Sequence, residues 1–236
     1  MSRLTVGELW RYPVKSLQGE SLTHAELGPG GMPGDRLIHV SSGRGLLTGR
    51  TRHRLLHLHG ATGPDGIPQV EGHAWDSEPA TALVEAAAGP GAQLRHFEGP
   101  ERFDVLPLLV LADAEVRRLG HDRRRLRPNL VIAGALDGEE RTWAGKVLQI
   151  GEALVGVYSP RQRCIVTTID PDTGEQNLDV LRTINRQFGG RLGLDCWVVK
   201  PGTVQVGDQV RVVEGMPWQP PSVGGWVVGA PYPAVA

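Results

Sequence analysis

Apolar and polar positions along this chain alternate in short bursts, and glycine or proline interrupts them every few residues. That pattern predicts many short β-strands. Leu4–Val14 is rich in β-formers and ends in Tyr12-Pro13-Val14-Lys15-Ser16. Ser21–Leu27 alternates until Gly28-Pro29-Gly30-Gly31 breaks it. Arg36–Val40, Leu55–Leu58, Asn129–Ala133, Lys146–Ile150, Leu154–Val157, Cys164–Ile169, Leu194–Val199 and Gln209–Val213 predict further strands. Helices are expected at three places. Ser77 can cap a helix whose first turn holds Pro79 and whose alanine-rich body runs to Ala88, where Gly89-Pro90-Gly91 stops it. Asp113 can cap a short helix through Leu119, with Val116 and Leu119 on one face. Asn177 to Phe188 spaces Leu178, Leu181 and Ile184 by three residues and stops at Gly189-Gly190.

Many strands with few helices predict a mainly β fold, a barrel or sandwich with helices packed outside. A soft boundary at Gly99-Pro100 divides an N-terminal β unit (1–100) from a C-terminal one (101–215). The stretch 216–236, rich in proline, glycine and valine, reads as a loosely docked arm.

Composition narrows the function. The 236 residues are 40% hydrophobic and 22% charged, enough for a well-buried core in one large or two small domains. The formal net charge of −1 supplies no global field for nucleic acid, so no nucleic-acid partner is expected. The basic run Arg117-Arg118 to Arg127 therefore reads as a solvated helix end or a docking face for an acidic electron donor, with Arg127 drawn into a pocket. The N-terminus has no long apolar h-region, and no stretch reaches the roughly 20 apolar residues of a membrane span. The expected setting is the cytoplasm, without a membrane partner, in keeping with two cysteines that form no CxxC pair.

The chemistry concentrates in Pro160–Gly174, Pro-Arg-Gln-Arg-Cys-Ile-Val-Thr-Thr-Ile-Asp-Pro-Asp-Thr-Gly. Cys164 follows two arginines. A positive field favours the thiolate that binds metals or attacks substrates, although a buried structural cysteine flanked by solvent-facing arginines fits the same pattern. Lys15-Ser16, Gly34-Asp35-Arg36, Arg127-Pro128-Asn129 and Arg163-Cys164 each put a cation or small hydrogen-bonding side chain at a strand end. Singly, such residues are usually solvated strand ends. Converging on one pocket, they suit a phosphorylated cofactor, because arginine forks match phosphate oxygens. Cys196 reads as a buried core thiol. His57 and His59 would share one face of a strand, and with His53 they either bind zinc or line a pocket mouth.

These motifs, in this order, resemble those of MOSC-domain proteins that carry a MOSC N-terminal β-barrel domain. The closing Pro201-Gly202-Thr203-Val204 and Val206-Gly207-Asp208 fit as well, so the resemblance covers about residues 4 to 214. Its nearer relatives are the amidoxime-reducing molybdenum enzymes of mitochondria and their bacterial counterparts. The resemblance implies a MOSC-like barrel plus an N-terminal β domain, and a molybdenum cofactor: molybdopterin with a molybdenum–oxo centre, the metal held by the pterin dithiolene and by Cys164. Lys15, Ser16, Arg36, Arg127, Asn129 and Arg163 match positions that hold the pterin and its phosphate. The implied activity is reduction of small N-hydroxylated or N-oxide substrates by oxygen-atom transfer. Two cysteines cannot ligate a [2Fe–2S] cluster, so electrons are expected from a separate donor protein. Two other roles stay open, a carrier of molybdenum cofactor and a sulfur carrier using a Cys164 persulfide. Where the family often places a hydroxyl cluster, this chain has Ala112-Asp113-Ala114; the acid either caps the helix or repels a phosphate.

Overall fold

In Thr5–Arg11 (β1) a register shift between Val6 and Glu8 lets Val6 and Leu9, three residues apart, both face the core while the residues between them stay partly solvated. The computed structural model describes residues 4–99, 102–215 and 220. After β1 come β2 (Glu20–Leu22), β3 (His24–Leu27), β4 (Ile38–Ser42), β5 (Gly45–Leu47), β6 (Gly60–Thr62), β7 (Pro68–Val70) and β8 (His73–Ala74). Helix α1 (Glu78–Ala88) and β9 (Gln93–His96) complete the first half. The second half runs β10 (Leu108–Ala112), α2 (Asp113–Leu119), β11 (Leu130–Ala133), β12 (Val147–Ile150), β13 (Ala153–Gln162), α3 (Leu178–Phe188), β14 (Arg191–Lys200), β15 (Gly202–Gln205) and β16 (Val210–Val213).

The fold is mainly β, with three α-helices among the described residues. Eight strands form one sheet in the order β16-β12-β13-β14-β10-β11-β1-β2. Its pairs are antiparallel except β10 with β11. The sheet curls until Val6 N–H donates to the Asp208 carbonyl at 2.9 Å and Val210 N–H to the Leu4 carbonyl at 2.9 Å, where edge strand β16 begins. Leu9, Val110, Leu130, Leu148, Val155 and Leu194 fill the curl. β1 and β2 therefore share a sheet with strands from beyond residue 100. A second core of Val14, Leu17, Ile38, Val40, Leu55 and Val84 sits under α1, and a third joins Leu111, Leu126, Ile184 and Phe188 under α3.

Both longer helices form where their caps predict. Ser77 Oγ accepts from Ala80 N–H at 3.4 Å, and the Asn177 side chain accepts from Asp179 N–H at 3.0 Å. In α3 the buried face is Val180, Ile184 and Phe188, whereas Leu178 is exposed. Asp113 is the first residue of α2 rather than its cap; it pairs with Arg117 at 2.6 Å and accepts from Gly134 N–H at 3.3 Å.

Two expected strands are 3-10 turns. Residues His53–His57 replace the strand expected at Leu55–Leu58, because Leu55 N–H bonds back to Arg52 and Leu58 N–H to Leu55. The shared strand face proposed for His57 and His59 goes with it. Ile165–Thr168 replaces most of the strand expected at Cys164–Ile169. There Thr167 and Thr168 hydroxyls donate to the Cys164 and Ile165 carbonyls at 2.9 and 2.7 Å, tightening the turn against extension. Strand β10 escapes the alternation rule because all five of its residues are buried. The expected arm 216–236 lies, but for Pro220, outside the described residues.

Glu140 fastens this frame. Its buried carboxylate accepts from Ala112 N–H at 2.7 Å and Gly193 N–H at 2.8 Å, joining the ends of β10 and β14. Burial pushes its pKa up to about 7 despite those bonds, with nearby Glu115 adding to the shift. The folded carboxyl then keeps its proton to about pH 7, while the unfolded one releases it near 4.5. Stability from this group is therefore lost as pH rises through that window. Urea unfolding should show wild type losing stability relative to Glu140→Gln between about pH 4.5 and pH 7.

Candidate functional site

The segment after β1 cannot continue as a strand, because Pro13 removes a donor and Ser16 turns to φ 73°. Its backbone instead docks on the segment leading into β4. Arg36 N–H donates to Tyr12 at 2.7 Å, Ile38 N–H to Pro13 at 3.1 Å and Lys15 N–H to Ile38 at 2.7 Å. Gly19 is required here, since a Cβ would lie 2.5 Å from Tyr12 Cδ1 and against the Arg11 carbonyl. Arg127 ends a 3-10 turn at φ 57°. Of the four described non-glycine residues with left-handed φ, three (Ser16, Arg36 and Arg127) line one cleft.

That cleft has a volume of about 570 Å³. Lys15, Ser16, Arg36, Arg127, Asn129, Arg163 and Cys164, distant in sequence, all border it. The structure adds Arg161, the second arginine before the cysteine, and residues that no motif indicated: Arg50, Asp104, Arg191 and Asp195. Arg161 stands beside the cysteine in sequence, but Arg50 and Asp104 reach the cleft through tertiary folding alone. The half-buried Cys164 occupies the extended residue before the Ile165–Thr168 turn, and its sulfur interacts with the Arg50 guanidinium.

Asp104 is the hub of the cations. Its carboxylate bonds Lys15 Nζ at 2.9 Å, Arg50 at 2.8 Å and Arg161 at 3.2 Å. Burial alone would raise its pKa, but the three cations outweigh burial and hold it well below the usual carboxylate range. Burial lowers the Lys15 pKa against the pull of Asp104. Arg161 also reaches Asp195 at 2.7 Å, an acid whose own pKa burial raises. Tyr12 lies between two guanidinium groups, with Arg127 Cζ 4.4 Å and Arg36 Cζ 5.0 Å from the ring centroid. Arg36 pairs with the fully buried Asp35, which also accepts from Tyr12 N–H at 2.8 Å.

Arg127 and Arg163, like the exposed Arg191, have no carboxylate partner among the described residues. Arg127 donates to the Leu17 carbonyl at 2.5 Å and Arg163 to the Leu126 carbonyl at 2.6 Å. Arg163 Nε is sealed from solvent with no acceptor. Burial lowers both pKa values to about 10, yet both stay charged at neutral pH. Asn129 plays a different part, because its Oδ1 accepts from Leu109 N–H at 3.1 Å and its Nδ2 donates to the Trp10 carbonyl at 3.2 Å. It clamps strands beneath the cleft.

Other expected features fall outside. The basic run is largely neutralised by its own partners: Arg117 with Asp113, Arg118 with Glu115, Arg123 with Glu8, Arg124 with Asp122 and Asp172, Arg125 with Asp170. Asp113 does not border the cleft. Cys196 is fully buried in the sheet core. Among the described residues no three His, Cys, Asp or Glu side chains form a group able to hold a metal, so His53, His57 and His59 make no zinc site. No described helix is long and apolar enough to cross a membrane.

Comparison with known proteins matches both halves of the chain to family models. Residues 3–96 match the MOSC N-terminal beta barrel domain and residues 110–211 the MOSC domain. Human mitochondrial amidoxime-reducing component 1 is 24% identical over 89% of this chain and 83% of its own length. Human mitochondrial amidoxime reducing component 2 is 33% identical over 45% of this chain, a match spanning 37% of that relative. Molybdenum cofactor sulfurase of Bombyx mori is 37% identical over 38% of this chain and 11% of its own length. Among solved structures, the YuaD protein of Bacillus subtilis superposes with a TM-score of 0.46 over 90% of this chain and 98% of that chain, at 14% identity.

Replacing Asp104 removes the charge that three cations share. Asp104→Asn is expected to cost about 2 kcal/mol in urea unfolding, less than a fully buried pair because the carboxylate is 28% exposed. Lys15→Met in the same chain should recover part of that loss.

Proposed function

The chain is a MOSC-domain protein with a MOSC N-terminal β-barrel domain, and on that premise we propose that it is a molybdenum-cofactor-dependent oxidoreductase. Its role is then to reduce N-hydroxylated or N-oxide compounds by oxygen-atom transfer. The observation that carries the reading is the meeting, in one cleft, of a half-buried cysteine with Arg127 and Arg163, two guanidinium groups without a carboxylate partner among the described residues. The orphaned Arg163 Nε is a donor awaiting an acceptor. A group that is both anionic and thiolate-seeking fits these residues.

In this reading Cys164 is the metal ligand and the residue closest to the chemistry. Lys15, Ser16 and Arg36 hold the cofactor's phosphate from the N-terminal side, while Arg127 and Arg163 meet the pterin from the other. Asn129 acts indirectly, fixing the strands that carry Arg127. Ser16 Oγ already accepts from Gly49 N–H at 3.0 Å, so it is pre-oriented and keeps its O–H to donate. Asp104 offsets the mutual repulsion of Lys15, Arg50 and Arg161, to which the anionic cofactor would add its own charge. Arg50 stands beside the cysteine sulfur. Bound molybdenum cofactor would supply a metal that changes oxidation state as the substrate N–O bond breaks and water leaves. Two electrons and two protons per turnover would come from a separate donor protein. The units 1–100 and 101–215 would supply opposite walls, and the proposed setting is the cytoplasm.

A sulfur carrier needs none of the phosphate-binding cations, and a cofactor carrier needs no turnover. Expressed in a host that makes the cofactor, wild type should hold near-stoichiometric molybdenum by mass spectrometry, and Cys164→Ala should lose most of it. Loaded wild type should also consume benzamidoxime with a chemical reductant. Metal without turnover would identify a carrier, and no metal in either protein would move the assignment to sulfur transfer.

A further inference from the structure

A second space of about 360 Å³ adjoins the first and shares Leu56, Arg127 and Val166 with it. Its walls are chiefly apolar: Trp10, Tyr12, Leu56, Val166, Ile169 and Pro171. Neither Cys164 nor Lys15, Ser16, Arg36 or Arg163 borders it, so the cofactor reading leaves it unused. Flat aromatic and aliphatic walls of this size suit a ligand of one or two fused rings.

The charges around it select the ligand's polar end. Arg124 is neutralised by Asp122 and Asp172, and Arg125 by Asp170 at 2.6 Å. Glu20 is held by Arg11 at 2.8 Å and accepts from the Thr62 hydroxyl at 2.8 Å. Arg127 alone among these has no carboxylate partner among the described residues, where its one acceptor is the Leu17 carbonyl. Its remaining N–H groups bond to nothing among the described residues, while the Tyr12 ring beneath it holds the guanidinium in place at 4.4 Å. A planar carboxylate is the complement of that arrangement.

We propose that this side chamber is a distinct small-molecule site that binds flat aromatic carboxylates, with the rings against Trp10 and Ile169 and the carboxylate on Arg127. Because Arg127 also walls the main cleft, a ligand here is placed to modulate what binds there. The site itself requires no molybdenum, and it stands or falls separately from the cofactor reading.

Isothermal titration of the full-length, metal-free chain with 2-naphthoate and with uncharged 2-naphthamide tests the proposal. Naphthoate should bind at least tenfold more tightly than the amide. Ser21→Trp narrows the mouth from an exposed strand position, which accepts an aromatic residue readily, and should weaken naphthoate at least tenfold. Ile169→Trp fills the interior and should do the same, with circular dichroism confirming that each variant is folded. Cys164→Ala should leave binding unchanged. The proposal is overturned by absence of binding at millimolar naphthoate, by equal affinity for the amide, or by binding that survives Ser21→Trp in a folded protein. Loss of binding in Cys164→Ala would also overturn it, because it would put the ligand in the main cleft.

Discussion

Mutual repulsion among buried cations is the constraint around which this structure is arranged. Seven basic side chains and two carboxylates border the main cleft of a chain whose net charge is −1. Gathering like charges in a partly desolvated space is unfavourable unless each has a compensating partner. Asp104 serves Lys15, Arg50 and Arg161, Asp195 also serves Arg161, and Asp35 serves Arg36. Arg127 rests on the face of Tyr12 instead, and Arg163 has only a carbonyl. The fold tolerates a local excess of positive charge that an anionic ligand would relieve.

Holding those charges in place takes unusual backbone. Ser16, Arg36 and Arg127 adopt left-handed φ values that cost an ordinary residue roughly 1 kcal/mol or more each, and surrounding bonds maintain them. Asn129 ties three strands under Arg127, Gly19 lets the chain pass the Tyr12 ring, and Thr167 tightens the turn that follows Cys164. Packing further away keeps this geometry. The curled sheet positions Arg127 and Cys164, and the core beneath α1 carries the loop from Tyr12 to Leu17. Sequence order, local turn and tertiary packing thus converge on the same cleft.

Much of this was legible before any coordinates. The Ser77 and Asn177 caps mark both longer helices, and the Asp170-to-Gly174 turn is readable from its residues, with Asp170 Oδ1 accepting from Asp172 and Thr173 N–H at 2.9 and 3.0 Å. The motif residues that suggest a pocket do share one. The misreadings have definite causes. Threonine hydroxyls that bond back to carbonyls make a turn out of β-branched residues that read as a strand. The uniformly buried Leu108–Ala112 has no alternation to detect, although it lies at the centre of the sheet. Arg50 and Asp104 meet Cys164 and Lys15 only through long-range folding, so nothing in their neighbours reveals them. Asn129 borders the cleft as its motif suggests, but both polar atoms of its side chain serve the backbone.

The central claim is that Cys164 and the surrounding cations form a seat for a thiolate-bound molybdenum cofactor. Molybdenum K-edge absorption spectroscopy on protein purified from a cofactor-producing host tests it most directly, by counting sulfur neighbours of the metal in wild type and in Cys164→Ser. The account predicts that wild type has one sulfur neighbour more than the variant, the difference being the Cys164 thiolate. An identical sulfur count in two metal-loaded proteins would contradict it, showing that the cofactor binds without this cysteine.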